Sequence, residues 1–106
     1  EARRSVAATD KIFMEFSCNG RPMGEAFELR EKPVLRIAVE GTAPLARVAL
    51  IRNETICNVF TPDSDRFEAE YLDEAPEEGE NRYYVRVEQT DGNMGWTSPV
   101  WVQYSP

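Results

Sequence analysis

Histidine is absent from the 106 residues. That removes the side chain that most often serves as general base, as proton switch near neutral pH and as transition-metal ligand. Cysteine is scarce as well: Cys18 and Cys57 stand far apart with no CxxC pair, so no zinc shell can be assembled from them. They either join in one disulfide or remain two separate buried thiols; no signal peptide points to an oxidising compartment, and the second is the expectation. No apolar run approaches the ~20 residues of a membrane-spanning helix, so no membrane insertion is expected. Basic residues are outnumbered, 12 Lys and Arg against 19 Asp and Glu for a net charge of −7, which argues against nucleic acid and anionic surfaces as partners. Only the start, with Arg3 and Arg4, is locally basic. The sequence opens at Glu1 without a methionine and reads as a piece of something longer.

What is present is an alternation of apolar and polar residues in short segments. Ile12, Met14, Phe16 and Cys18 share one face of a period-two segment that stops at Asn19-Gly20; Leu35, Ile37 and Val39 repeat the pattern in VLRIAVEG. ARVALIRN places Val48 and Leu50 on one face, and FEAEYL turns Phe67, Ala69 and Tyr71 inward with Glu68 and Glu70 toward water. Glu54 to Phe60 reads as a short strand after a tight turn at Asn53-Glu54, and Glu25 to Leu29 as a short edge piece. Turn residues at Gly20, Gly41, Pro62-Asp63, Pro76 and Asp91-Gly92 punctuate these segments, and no helical stripe occurs. The expectation is an all-β, antiparallel sandwich of seven to eight strands, immunoglobulin-like or fibronectin type III-like, over residues 12–106. Residues 1–11 read as a linker or tail from an upstream domain, and the acidic run Asp73 to Glu80 as a solvated loop.

The final stretch, YYVRVEQTDGNMGWTSPVWV, concentrates aromatic residues. Tyr83, Val85 and Val87 face one way and Tyr84, Arg86 and Glu88 the other. Beyond Asp91-Gly92-Asn93, Val100, Val102 and Tyr104 share a face opposite Trp101. Pro99 has no N–H for a ladder, so an edge strand or a bulge is expected there.

Taken in order, RPMGEAFEL, VLRIAVEGTAPLARVALIRN and NRYYVRVEQTDGNMGWTSPVWV resemble the C-terminal region of large bacterial proteins. Their main domain belongs to the polymerase and histidinol phosphatase (PHP) superfamily of metal-dependent phosphoesterases. The resemblance runs from about Arg4 onward and rests on Gly41, Ala43, Pro44, Val48 and Arg52 and on the closing hairpin. It implies a small β-sandwich following a barrel-like catalytic domain that holds the metals on its own histidines and carboxylates. Without histidine, no residue here inherits a metal-ligand role.

Catalytic and metal-ligating residues are accordingly expected to be none, and no cofactor is implied. Carboxylates at Asp63, Asp65, Glu68 and Glu70 read as the wet side of a strand and its turn, and Asp63-Ser64-Asp65 lacks the glycine and distal glutamate of a calcium loop. The candidate interface or ligand surface consists of Tyr84, Trp96, Trp101, Arg47 and Arg52. Its expected partner is the upstream catalytic domain of the same chain, with a homo-oligomer as a further candidate assembly. A free-standing carbohydrate-binding sandwich is the alternative, because the same aromatic residues stack on sugars as readily as they pack in an interface.

Overall fold

A computed structural model describes residues 6–8 and 11–106, the first three through their backbone pairing alone. Eleven strands follow one another: β1 (Val6–Ala8), β2 (Phe13–Cys18), β3 (Arg21–Pro22), β4 (Ala26–Leu29), β5 (Val34–Glu40), β6 (Leu45–Arg52), β7 (Thr55–Phe60), β8 (Arg66–Leu72), β9 (Gly79–Gln89), β10 (Met94–Thr97) and β11 (Val100–Tyr104). They form two sheets. The narrow one runs β3-β2-β5-β8. The wide one is built on β9, which pairs with β6 on one side and with β10 and then β11 on the other; β7 lies beyond β6, β1 beyond β10 and β4 beyond β11. All pairings are antiparallel except β4 with β11.

The count exceeds seven to eight for local reasons. Three short edge pieces each register as a strand, and the last strand breaks at Ser98-Pro99, where the missing proline N–H interrupts the ladder. Within the stretch read as a linker, Val6–Ala8 forms β1, with Val6 opposite Thr97 and Ala8 opposite Gly95. An open sheet edge offers a row of N–H and C=O groups to any extended chain beside it. Residues 1–5 and 9–10, including Arg3, Arg4 and Thr9, lie outside the described residues.

Period-two alternation puts the core where two sheets must meet. Met14, Phe16, Leu35, Ile37 and Val39 of the narrow sheet face Val48, Leu50, Tyr83, Val85, Val87, Val100 and Val102 of the wide one, all nearly or completely buried. Truncating one of these, Leu35→Ala for example, would cost about 2–5 kcal/mol through lost transfer energy and the cavity left behind. Two hairpins are closed by two-residue turns. Asn19-Gly20 has φ of 50° and 81°, and Asn53-Glu54 has φ of 51° and 70°. Both residues of such a turn must be left-handed to match the strand twist, which Asn and Gly tolerate well. Asn53 adds a second contribution, its Oδ1 accepting the Arg82 N–H at 2.8 Å.

Three bulges interrupt the alternation, one of them at Ala46 of β6, where Leu45 is opposite Gln89 and Arg47 opposite Glu88. Trp96 stands opposite Arg86 and Val100 opposite Tyr83, so three residues on one strand face two on the other. Thr97 Oγ1 accepts the Val85 N–H at 3.0 Å beside this break, satisfying a donor next to the interrupted ladder. In β7, Asn58 is opposite Leu50 and Ile56 opposite Ile51, leaving Cys57 as the extra residue. Each bulge shifts the side-chain phase by one.

The acidic run from Asp73 to Glu80 is only partly the solvated loop expected of it. Asp73 is 2% exposed. Its Oδ2 accepts hydrogen bonds from Tyr83 Oη at 2.5 Å and from Arg52 Nη1 at 2.7 Å, and its Oδ1 accepts the Ala75 N–H at 3.1 Å. A carboxylate so satisfied can be buried where an unpaired one cannot. Composition of the run gave no hint, because the partners lie on β6 and β9.

Candidate functional site

The candidate residues divide by which side of the wide sheet they occupy. Tyr83, Val85 and Val87 point into the core, so Arg82, Tyr84, Arg86 and Glu88 line the outer face of β9. The register then builds that face row by row. Glu88 lies between Arg47 and Met94; Ala49 lies between Val59 and Arg86, with Trp96 beyond; Ile51 lies between Ile56 and Tyr84; and Trp101 is next to Arg82. Tyr84, Trp96, Trp101 and Arg47, four of the five candidates, therefore share one surface. Strict alternation would put Trp96 and Trp101 on opposite sides, since they are five residues apart; the bulge at Ser98-Pro99 brings them together.

Arg47 and Arg82 on this face are held in ion pairs. Arg47 Nη2 donates to both carboxylate oxygens of Glu88, at 2.9 and 3.1 Å, and Arg82 Nη2 donates to Glu54 Oε2 at 3.2 Å. The Arg82 guanidinium carbon lies 5.8 Å from the Tyr84 ring centroid, within range of cation–π attraction. Arg82 Nε and Arg86 Nε are both buried, so the stems lie flat along the sheet rather than reaching into water. At the free side of the sheet, Ile56 and Val59 are 49% and 39% exposed. The centre of the face thus holds aromatic, aliphatic and arginine side chains with no lysine, the composition that marks the core of protein interfaces.

The fifth candidate, Arg52, belongs elsewhere. It stands opposite the core residue Tyr83 and turns inward to Asp73, with 19% of its side chain exposed. Around this ion pair the titrations move in a consistent pattern. Burial works to raise Asp73, but hydrogen bonds from Tyr83, Arg52 and the Ala75 amide outweigh it and leave the carboxyl below its ordinary value. Tyr83 is pushed up by burial and by the adjacent carboxylate. Cys57, half-buried beside Arg52, is also raised, mainly by burial. This is a structural clasp joining β6, β9 and the end of β8, where sequence reading had placed Asp73 in a solvated loop.

The opposite outer face, on the narrow sheet, has a different character. A shallow groove of about 750 Å³ is lined by Glu15, Ser17, Arg36, Glu68 and Glu70 among others. Arg36 Nη2 donates to Glu70 Oε2 at 2.7 Å on this open surface, a pair worth at most about 1 kcal/mol. Its charged residues project directly into water. Both cysteines are free thiols, Cys18 fully buried and Cys57 partly so. Among the described residues, no group of three or more histidine, cysteine or carboxylate side chains converges as a metal shell would require, the turn at Asp63-Asp65 and the glutamates from Glu77 to Glu80 included.

Among solved structures, a fibronectin(III)-like module of CbhA from Clostridium thermocellum matches with a TM-score of 0.50 and 19% identity, over 82% of this chain and 93% of that one. The fold is a fibronectin type III-like sandwich. No family model matches the sequence. The chain is 36% identical over 118 aligned residues to a protein of uncharacterised function from Chlamydia trachomatis serovar D. It is 34% identical to uncharacterised proteins from Chlamydia pneumoniae and Chlamydia muridarum. These matches cover 94 to 95% of the chain, which spans only 19% of the length of each of those relatives.

Proposed function

We propose that this sandwich is a non-catalytic accessory domain of a longer polypeptide and docks on a neighbouring domain through the outer face of the wide sheet. The observation that carries the reading is the convergence of Tyr84, Trp96, Trp101 and Ile56 with Arg82 and Arg86 on that one face, opposite a narrow sheet whose outer side sets Glu15, Arg36, Glu68 and Glu70 between the isolated apolar residues Phe13 and Leu72. Relatives about five times longer supply a covalently attached neighbour for it to meet. In keeping with the sequence resemblance, that neighbour is a PHP-type metal-dependent phosphoesterase domain. The sandwich then does no chemistry of its own: it buries apolar surface against the catalytic domain and stabilises it.

The test separates the pieces of a parent-length protein and mixes them. The sandwich should co-elute with the remainder on size exclusion. Trp96→Asp should weaken the association at least tenfold, whereas Phe13→Asp on the narrow sheet should leave it unchanged. Absence of association, or equal weakening by both variants, overturns the docking reading. A remainder without metal-dependent phosphatase activity removes the phosphoesterase part and leaves the docking part standing. Binding of soluble oligosaccharides that is lost in Trp101→Ala would favour a carbohydrate-binding module instead.

A further inference from the structure

Strand β7 closes the wide sheet on the side away from β1 and β4. One of its edges pairs with β6, and among the described residues no strand lies along the other. Sheet edges in solution are normally kept apart by charge, proline or shortness. The remaining edges have such protection: β8 carries Arg66, Glu68 and Glu70, β3 is two residues ending in Pro22, β4 carries Glu28, and β1 is three residues long. The six residues of β7, TICNVF, contain no charge, proline or glycine. Its bulge at Cys57 also turns Ile56 and Val59, three positions apart, onto the same exposed face.

These features fit a second copy of the same strand. We propose that β7 pairs antiparallel with β7 of another copy about a two-fold axis passing between Cys57 and Asn58. Ile56 of one copy then flanks Val59 of the other, and the reverse contact repeats across the axis, as an isologous interface requires. At the ends of this register Glu54 meets Thr61, so no acid opposes an acid. In a chain of net charge −7, such an uncharged, self-complementary strand is where two copies meet without repulsion. The two wide sheets become one continuous sheet, and apolar cross-strand pairs reinforce the backbone ladder. An edge and a face can be occupied together, so the inference is independent of the docking proposed above.

Edge pairing buries less than the roughly 1,200 Å² of lasting interfaces, so the dimer is concentration-dependent. Sedimentation velocity of this chain between ~1 µM and ~1 mM, the range over which weak pairs form, reads it directly. The wild type should pass from monomer to dimer, with amide exchange in β7 slowing as concentration rises. Val59→Lys, at an exposed position, should remain monomeric throughout; Ile56→Lys is the second variant should the first fail to fold. Phe13→Lys, which alters an exposed side chain on the narrow sheet, should dimerise like the wild type. A wild type monomeric at every concentration, a dimer untouched by the β7 lysines, or growth beyond the dimer overturns the proposal.

Discussion

Replacing Asp73 by alanine tests the clasp that ties the end of β8, in the narrow sheet, to β6 and β9 of the wide one. The substitution removes the acceptor for the Tyr83 hydroxyl, for the Arg52 guanidinium and for the Ala75 amide together. Breaking a buried ion pair by deleting one partner costs about 3–5 kcal/mol, because the other charge is left buried and uncompensated. Arg52 keeps 19% of its side chain exposed and can recover some hydration, which places the loss near the lower end. At roughly 2.1 cal/mol/K of unfolding entropy per residue, 3 kcal/mol corresponds to a fall in Tm of about 13 °C for a chain of this length. Urea unfolding and calorimetry should agree on that loss, with the denaturant slope unchanged. Arg52→Met combined with Asp73→Leu should be less damaging than Asp73→Ala alone, since it strands no charge. The same residue sets an acid limit. Because the folded-state carboxyl titrates below its unfolded value near 3.9, its contribution is complete above about pH 4 and disappears as pH falls through the lower folded-state value. Asp73→Ala should flatten that part of the stability curve. A loss below about 1 kcal/mol, or an acid limb unchanged in the variant, refutes the clasp.

Two further outcomes follow from the packing. A methyl group at Gly41 would meet Gln89 Oε1, which already accepts the Thr42 N–H at 2.8 Å, and Leu45 Cδ2 at 2.9 Å; Gly41→Ala should therefore cost about 1–3 kcal/mol in urea unfolding. Cys18 is completely buried and its thiol is pushed up to about 12, so at pH 8 iodoacetamide should modify it about a thousandfold more slowly than a free thiol, and Cys57 at an intermediate rate.

Much of the sandwich could be read from the sequence, because a strand with one wet face writes its orientation into every second residue. Met14, Leu35, Val48, Val85 and Val100 were legible in this way and are core. Tyr84 and Trp101 were legible as outward-facing for the same reason. Three kinds of information were not. The pairing of Val6–Ala8 with β10 depends on an open edge elsewhere in the chain, not on any pattern in three small residues. The inward turn of Arg52 and the burial of Asp73 depend on each other and on Tyr83, groups 10 to 31 positions apart in sequence. The shared face of Trp96 and Trp101 depends on a bulge, and a bulge is a departure from the very periodicity by which strands are recognised.

That last feature gives the connection between Trp96 and Trp101 one residue more than plain alternation requires. Ser98 and Pro99 are half-buried connectors. Shortening the connection by one would set two residues opposite two, leaving Trp96 and Trp101 four apart on one face and Val100 and Val102 between the sheets. The extra residue is thus a spare link in the closing hairpin: it adds local twist and a gap in the ladder where a proline fits, and its loss would not turn the strand over.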